Sequence, residues 1–369
     1  MTEQMERPSW QQRLLDEVQS GFPLAAEPYA ELASRLSAPG ESVDADACYA
    51  ALQQMKADGV IRRLGASFDS RKLGYVSALA ACRVAYDRLP AVISAQKACP
   101  NITHSYHRDA EYNLWFTIIA PGEARLAEIA RDMGELDGVD SLMVLRATQV
   151  FKIAVDFSEG AAKADTGAGP SRTANAADAG SAGVPTTAET PAPAFDPANP
   201  FDVALVRWAQ GDVLEAGLQP FATAADAISA AGIPATPDGV LARLHQLKAN
   251  GTIRRFGAMV RHMKLGYAAN SLVVWQIPEN RLPRVGAALV EVPFVSHCYS
   301  RTIGPAWYYN LYTMVHAKDE AQLANRIADL VDTAVRETGS IDHFSFRSLR
   351  TLAEYKKTSM KYFTEADHD

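Results

Sequence analysis

Gly59-Val-Ile-Arg-Arg-Leu-Gly-Ala66, running on to Lys72-Leu-Gly-Tyr75, is written a second time as Gly251-Thr-Ile-Arg-Arg-Phe-Gly-Ala258, running on to Lys264-Leu-Gly-Tyr267. The two seventeen-residue stretches are identical at ten positions, and the likeness spreads outward to cover about residues 9–156 and about 200–357. Downstream, His104-x-Tyr106-x-Arg108 recurs as His297-x-Tyr299-x-Arg301, and Tyr112-Asn-Leu recurs as Tyr309-Asn-Leu. A duplicated core needs only apolar periodicity. Retained His, Arg and Asn at matched places point instead to a duplicated site.

Upstream of each Gly-x-Ile-Arg-Arg, helical signals come in threes. In the first copy Trp10, Leu14, Leu15 and Val18 lie at helical spacing, Pro28 to Leu36 forms a second short helix, and Ser42 is placed to cap a third that carries Cys48, Leu52 and Met55 and stops at Gly59. The second copy repeats this over Val203 to Trp208, Ala224 to Ala230 and Pro237 to Lys248. Three helices leading into Ile-Arg-Arg predict a winged helix-turn-helix, the last segment beginning the wing. Downstream the pattern becomes strand–helix–strand–strand–helix–strand. In copy one these are Val76 to Tyr86, Leu89 to Lys97, Ile102 to Arg108, Tyr112 to Ile119, Glu123 to Met133 and Asp140 to Ile153. In copy two they are Ala268 to Ile277, Arg281 to Val290, Val295 to Arg301, Trp307 to Val315, Ala321 to Thr338 and Ile341 to Leu349. That order predicts an α+β chain, each copy a winged helix-turn-helix plus a ferredoxin-like βαββαβ sandwich whose free sheet face pairs with the other copy. The expected divisions are 1–66 and 67–157 for copy one, a linker at 158–199, then 200–258 and 259–369 for copy two. The linker is Ala-, Gly-, Thr- and Pro-rich and too poor in large apolar residues to offset its ordering entropy. Roughly 40 flexible residues reach about 35 Å, enough for the halves to meet as an internal pseudo-dimer, with further homo-oligomerisation left open.

Bulk properties narrow the function classes. The 369 residues are 48% hydrophobic and 21% charged, ordinary for a soluble globular chain. A formal charge of −7 gives no general attraction to nucleic acid. Four scattered cysteines without CxxC spacing read as reduced thiols, and no stretch approaches a signal peptide or membrane span, so a cytoplasmic location is expected.

A winged helix joined to βαββαβ resembles the Lrp/AsnC regulators. Within that architecture, Gly-x-Ile-Arg-Arg-x-Gly-Ala with the His-x-Tyr-x-Arg…Tyr-Asn-Leu block resembles the siroheme decarboxylases. In that family two related subunits pair, and here they look fused. The most specific part is Ser296-His-Cys-Tyr-Ser-Arg301 through Trp307-Tyr-Tyr-Asn-Leu-Tyr-Thr-Met-Val-His316, while Thr103-His-Ser-Tyr-His-Arg108 through Thr117 is similar to the partner subunit. The resemblance implies a carbon–carbon lyase that removes the C12 and C18 acetate carboxyls of siroheme to give 12,18-didecarboxysiroheme, in haem-type tetrapyrrole biosynthesis.

The residues themselves suit such a ligand. Spaced by two, His104, Tyr106 and Arg108 project from one face of a strand, as do His297, Tyr299 and Arg301. Such a row is costly to bury without a partner. A macrocycle with a carboxylate on each acetate and propionate arm would satisfy it. Arginine pairs bidentately with carboxylates, so Arg108 and Arg301 are expected to clamp the ring, with Arg62, Arg63, Arg254 and Arg255 at the rim. An arginine on the departing carboxylate would stabilise the ground state, so these are assigned to the carboxylates that stay. The carbon losing carbon dioxide needs a proton, for which His297 is the expected donor, His104 its counterpart, and Tyr299 or Tyr106 a carboxylate-placing group. Axial approach of His or Tyr to the iron is the alternative role. The protonated ring can accept the electron pair, so no added cofactor and no protein-bound metal are expected; the iron belongs to the substrate.

Several candidates have a bland reading beside the functional one. A structural hydrogen bond explains either histidine alone, and repetition of the whole row favours function. Trp307, with Trp115 and Phe116, lines a tetrapyrrole slot or packs a core. Asn310, like Asn113, contacts substrate or pins a hairpin. His107 faces away from His104, and His316 (matched by Ile119) is a minor candidate. Two rival functions stand: a DNA-binding regulator, against which the acidic start Asp44-Ala-Asp46 of the third helix argues, and a non-catalytic haem-binding protein.

Overall fold

A computed structural model of the chain describes residues 9–37, 43–153, 194–260 and 269–364. Copy one opens with α1 (Ser9–Ser20), α2 (Pro28–Leu36) and α3 (Ala45–Ala57), followed by the wing strand β1 (Ile61–Phe68). Asp44 caps α3 by accepting the Ala47 N–H at 2.7 Å; Ser42, the cap expected from sequence, lies outside the described residues. Then come β2 (Tyr75–Val84), α4 (Leu89–Ala98), β3 (Ile102–Arg108), β4 (Leu114–Pro121), α5 (Gly122–Gly134) and β5 (Val139–Ile153). Residues 158–193 of the expected linker and the second Lys-Leu-Gly-Tyr also fall outside the described residues, whereas the linker's last six residues are parts of copy two, Phe195 being buried and Asn199 capping the next helix.

Copy two repeats the order: α6 (Pro200–Ala209), α7 (Pro220–Ala230), α8 (Pro237–Ala249), β6 (Ile253–Val260), β7 (Ala269–Gln276), α9 (Leu282–Val290), β8 (Val295–Arg301), β9 (Leu311–Ala317), α10 (Glu320–Thr338) and β10 (Ser345–Lys357). The last strand departs from the sequence reading: Ile341–His343 is a short 3-10 turn, and β10 continues to Lys357.

Three seams join the copies. The wing strands pair with each other, β1 antiparallel to β6 with Gly65 opposite Gly257. A Cβ on Gly65 would stand 2.5 Å from the Gly211 carbonyl oxygen, and one on Gly257 would stand 2.5 Å from that of Val18. The repeated glycine therefore lets each wing lie against the first helical segment of the other copy. Above the wings, Leu14, Leu52 and Leu64 share one core with Leu205, Leu244 and Phe256, so the helical modules bury their apolar faces together.

The other two seams close a barrel. Each copy's sheet runs in ferredoxin-like order, β3-β4-β2-β5 and β8-β9-β7-β10, and β5 pairs with β8 while β10 pairs with β3. Helices cover the outside over Val92, Phe116 and Leu126 in one half and Val285, Leu311 and Leu330 in the other. The free faces look inward, where Trp115, Leu145, Trp307, Tyr312 and Leu349 form a fourth core. Closure also removes the sheet edges that a lone copy would expose. No described helix is long and apolar enough to cross a membrane.

Candidate functional site

Register decides which residues enter the barrel. On β4, Leu114, Phe116 and Ile118 point to the helices, so Trp115 and Thr117 point inward, and β3 sets Tyr106 and His104 opposite those two. On β8, His297 and Tyr299 stand opposite Met314 and Tyr312 in the same way. Strands β3 and β8 lie four places apart in the eight-strand order, so the two rows face each other across the interior.

Each row is a stack. His104 lies 6.3 Å from Tyr106 between ring centroids, and the Arg108 guanidinium sits 5.2 Å from the Tyr106 ring. The opposite row repeats these spacings at 6.2 Å and 5.1 Å for His297, Tyr299 and Arg301. The Nδ1 of His104 is 3.0 Å from Thr103 Oγ1, and that of His297 is 3.0 Å from Ser296 Oγ, leaving each Nε2 without a protein partner among the described residues.

The arginines carry the clearest demand for a ligand. Arg108 is only 4% exposed; its Nη1 donates to the Leu349 carbonyl and to Thr351 Oγ1, both at 3.0 Å. Arg301 Nη1 donates to the matched Leu145 carbonyl at 3.0 Å. The Nε of each is buried with no partner, and among the described residues neither has an ion pair. Burial pushes Arg108 down to about 10 and lowers Arg301, which leaves both charged at neutral pH.

Positive charge gathers around the imidazoles too. Burial, then Lys357, His297 and Arg62, push His104 down to about 4, and burial lowers His297. Burial lifts Tyr106 to about 12 and raises Tyr299. The inward-facing rows thus hold neutral imidazoles, protonated phenols and guanidinium without an ion pair, an arrangement that favours a polyanion.

Three contributors escaped the sequence reading or were undervalued by it. Lys357 and Glu354 of β10 stand in register beside His104 and Tyr106. They belong to the other copy, and only cross-copy pairing brings them there. His316 alternates inward with Tyr312 and Met314 on β9, and its Nε2 is 3.1 Å from Ser296 Oγ. Period-two alternation past Tyr309-Asn-Leu was the available signal.

Other expectations are corrected. Arg63 donates to the Gly211 and Ala66 carbonyls at 3.2 and 3.1 Å, and Arg255 donates to the Gln19 carbonyl at 2.7 Å, so both brace the wings. Arg62 and Arg254 lie on the opposite face of the wing. Arg62 is exposed, bonds Ser359 at 2.8 Å and lowers His104; Arg254 pairs with Asp69 at 3.1 Å, and its charge reaches Tyr299. Trp307 is 3% exposed, bonds the Tyr312 hydroxyl at 2.8 Å and packs 5.4 Å from Trp115, which makes it barrel core and not a slot wall. Asn310 exchanges two bonds with the Ile277 backbone, at 2.9 and 2.7 Å, as Asn113 does with Val84, so both pin hairpins. Two concavities of about 310 and 470 Å³ lie on the helical modules away from both rows. The larger has its Arg35 already paired to Glu17 and Glu31.

Known proteins share this architecture. Residues 11–62 match the siroheme decarboxylase NirDL-like HTH domain, and residues 72–152 and 264–356 match the AsnC-like ligand binding domain. A siroheme decarboxylase of Hydrogenobacter thermophilus is 30% identical over 358 residues, 96% of this chain and 95% of that protein. The siroheme decarboxylase alpha subunit of Desulfovibrio desulfuricans is 42% identical over 149 residues, 40% of this chain and 83% of that protein. A crystal structure of the siroheme decarboxylase NirDL in complex with an iron-uroporphyrin III analogue superposes with a TM-score of 0.70 at 26% identity, covering 97% of this chain and 96% of that one.

Proposed function

This chain belongs to the siroheme decarboxylase family, and we propose that it removes the C12 and C18 acetate carboxyls of siroheme in the chamber between the two rows, giving 12,18-didecarboxysiroheme. The observation that carries the assignment is the pair of buried arginines, Arg108 and Arg301, each with an unpartnered Nε and no ion pair among the described residues. A flat polycarboxylate supplies both the missing anions and the apolar surface that stacked rows accept.

In this reading Arg108 and Arg301 hold carboxylates that remain, assisted at the mouth by Arg62, Arg254 and Lys357. Fixed on those arms, the ring presents an acetate to an imidazole. The bond from the acetate methylene to its carboxyl breaks, carbon dioxide leaves, and the electron pair passes into the macrocycle. His297 or His104 then gives its Nε2 proton to the methylene carbon, which becomes a methyl group. Substrate anions also raise imidazole pKa values, so the ligand that needs a proton donor creates one. Tyr106 and Tyr299, protonated throughout, place the leaving carboxyl by hydrogen bonds. We assign no added cofactor; the iron enters with the substrate.

The helical modules have no role on DNA in this scheme, since Asp44 and Asp46 open α3 and Asp238 opens α8. A gel shift with the chain's own promoter checks that point. The deciding experiment is incubation of the purified chain with siroheme without oxygen. Loss of two carbon dioxide units by mass is expected; recovery of unchanged siroheme would make the protein a carrier.

A further inference from the structure

The two rows are not equal. Ser296 Oγ lies 3.0 Å from His297 Nδ1 and 3.1 Å from His316 Nε2, so one hydroxyl bridges two imidazoles. It also lies 3.3 Å from the Met314 carbonyl, the fallback acceptor when the bridge is idle. In the opposite row Thr103 bonds His104 in the same way, and the position matching His316 holds Ile119. We propose that His316 is a positioning residue that stores a proton and passes it through Ser296 to His297, making the second copy's row the faster proton donor.

The inference rests on the family reading above. His316 begins as the imidazolium and His297 as the neutral Nε2–H tautomer, its Nδ1 accepting the Ser296 hydroxyl. When the acetate carboxyl leaves, His297 Nε2–H moves to the methylene carbon. The Ser296 proton moves to His297 Nδ1, and the His316 Nε2 proton moves to Ser296. One carboxylate and one imidazolium become one methyl group, one carbon dioxide and one neutral imidazole, with no other reactant.

Charges on four elements face His316: His297 on β8, Lys357 on β10, Arg108 on β3 and Arg326 on α10. Together with burial, the largest cause, they push it down to about 4. Siroheme carboxylates neutralise Arg108 and Lys357, so proton loading of His316 follows substrate entry.

The test uses the full chain, siroheme without oxygen, product mass and a pH–rate profile for wild type, His316→Ile, Ser296→Ala and Ser296→Thr. His316→Ile installs the residue found in copy one, and Ser296→Thr its hydroxyl. The expected result is siroheme binding by His316→Ile and Ser296→Ala, followed by on the order of a hundredfold slower proton delivery. Ser296→Thr recovers most of the rate, and the ionisation of the bound complex disappears from the His316→Ile profile. Wild-type rates and an unchanged profile in His316→Ile overturn the relay, as does equal loss in Ser296→Ala and Ser296→Thr. If His316→Ile fails to bind siroheme, the two Ser296 variants decide alone. An inactive wild type removes the family reading and the relay together, and is recognised because the unmodified chain fails.

Discussion

Arg108 and Arg301 each stack on a tyrosine and donate through Nη1 to a carbonyl of the neighbouring strand, yet leave Nε unused inside the barrel. A buried cation without a counter-charge is destabilising, while a matching isostere removes that burden. Arg108→Met is therefore expected to raise the urea midpoint slightly, by ~1 kcal/mol in stability, and to weaken siroheme binding at least tenfold. A variant that loses stability and keeps affinity would show Arg108 to be structural. The imidazoles give a pH signature with a definite sign. His104 and His316 stand at about 4 in the folded chain, below the unfolded value near 6.5. Above that unfolded value both states are neutral and their contribution is fully present. As pH falls towards 4, the unfolded chain takes up protons that the folded one refuses, and stability drops by up to ~3 kcal/mol per group. Urea midpoints measured across that window should fall more steeply for wild type than for His104→Phe, and siroheme should flatten the difference. Parallel curves would mean that His104 is not depressed.

The wing shows what an element can and cannot reveal from sequence. Strand alternation already separates Arg62 from Arg63, but which of them meets the ligand depends on β1 pairing with β6 of the other copy. Once paired, Arg63 reaches a backbone carbonyl just after the other copy's first helix and Arg255 one in its last turn, while the charges of Arg62 and Arg254 reach His104 and Tyr299 of the two rows. Arg63→Ala is expected to lower stability by about 1–3 kcal/mol, because it strips two part-buried carbonyls of their donor, with siroheme affinity unchanged. Arg62→Ala should do the reverse, and paired urea and ligand titrations separate the two. Gly65→Ala belongs to the same seam: its new Cβ meets backbone at 2.5 Å, so β1 must shift and the wings lose register. Helices and most strand limits were legible because apolar periodicity is a local property. Lys357 and Glu354 were not legible, since a residue on β10 acquires its role from β3, some 250 positions earlier in the chain. Trp307 and Asn310 misled for a related reason: aromatic and amide groups near a polar row serve core and hairpin equally well until packing is known.

At the scale of the whole molecule, the duplicated sentence becomes one barrel. The seams β1–β6, β5–β8 and β10–β3 all run between copies, and the last two carry the His-Tyr-Arg rows on β8 and β3. A single copy would expose the outer edges of its sheet, the apolar inner face carrying Trp115 or Trp307, and half of the helical core. Covalent connection then raises the local concentration of the halves without being needed for their geometry. Two chains comprising 1–157 and 194–369, made together, are expected to co-purify one to one and to turn over siroheme at a rate near that of the intact protein. Each made alone should aggregate or pair with itself, and a self-paired first half would carry Ile119 at both positions where the intact barrel has a single His316. Size-exclusion chromatography with anaerobic product mass checks both outcomes. Monomeric, separately active halves would contradict a chamber shared across the seams, because Arg108 draws its Thr351 and Leu349 partners, and Arg301 its Leu145 partner, from the opposite copy.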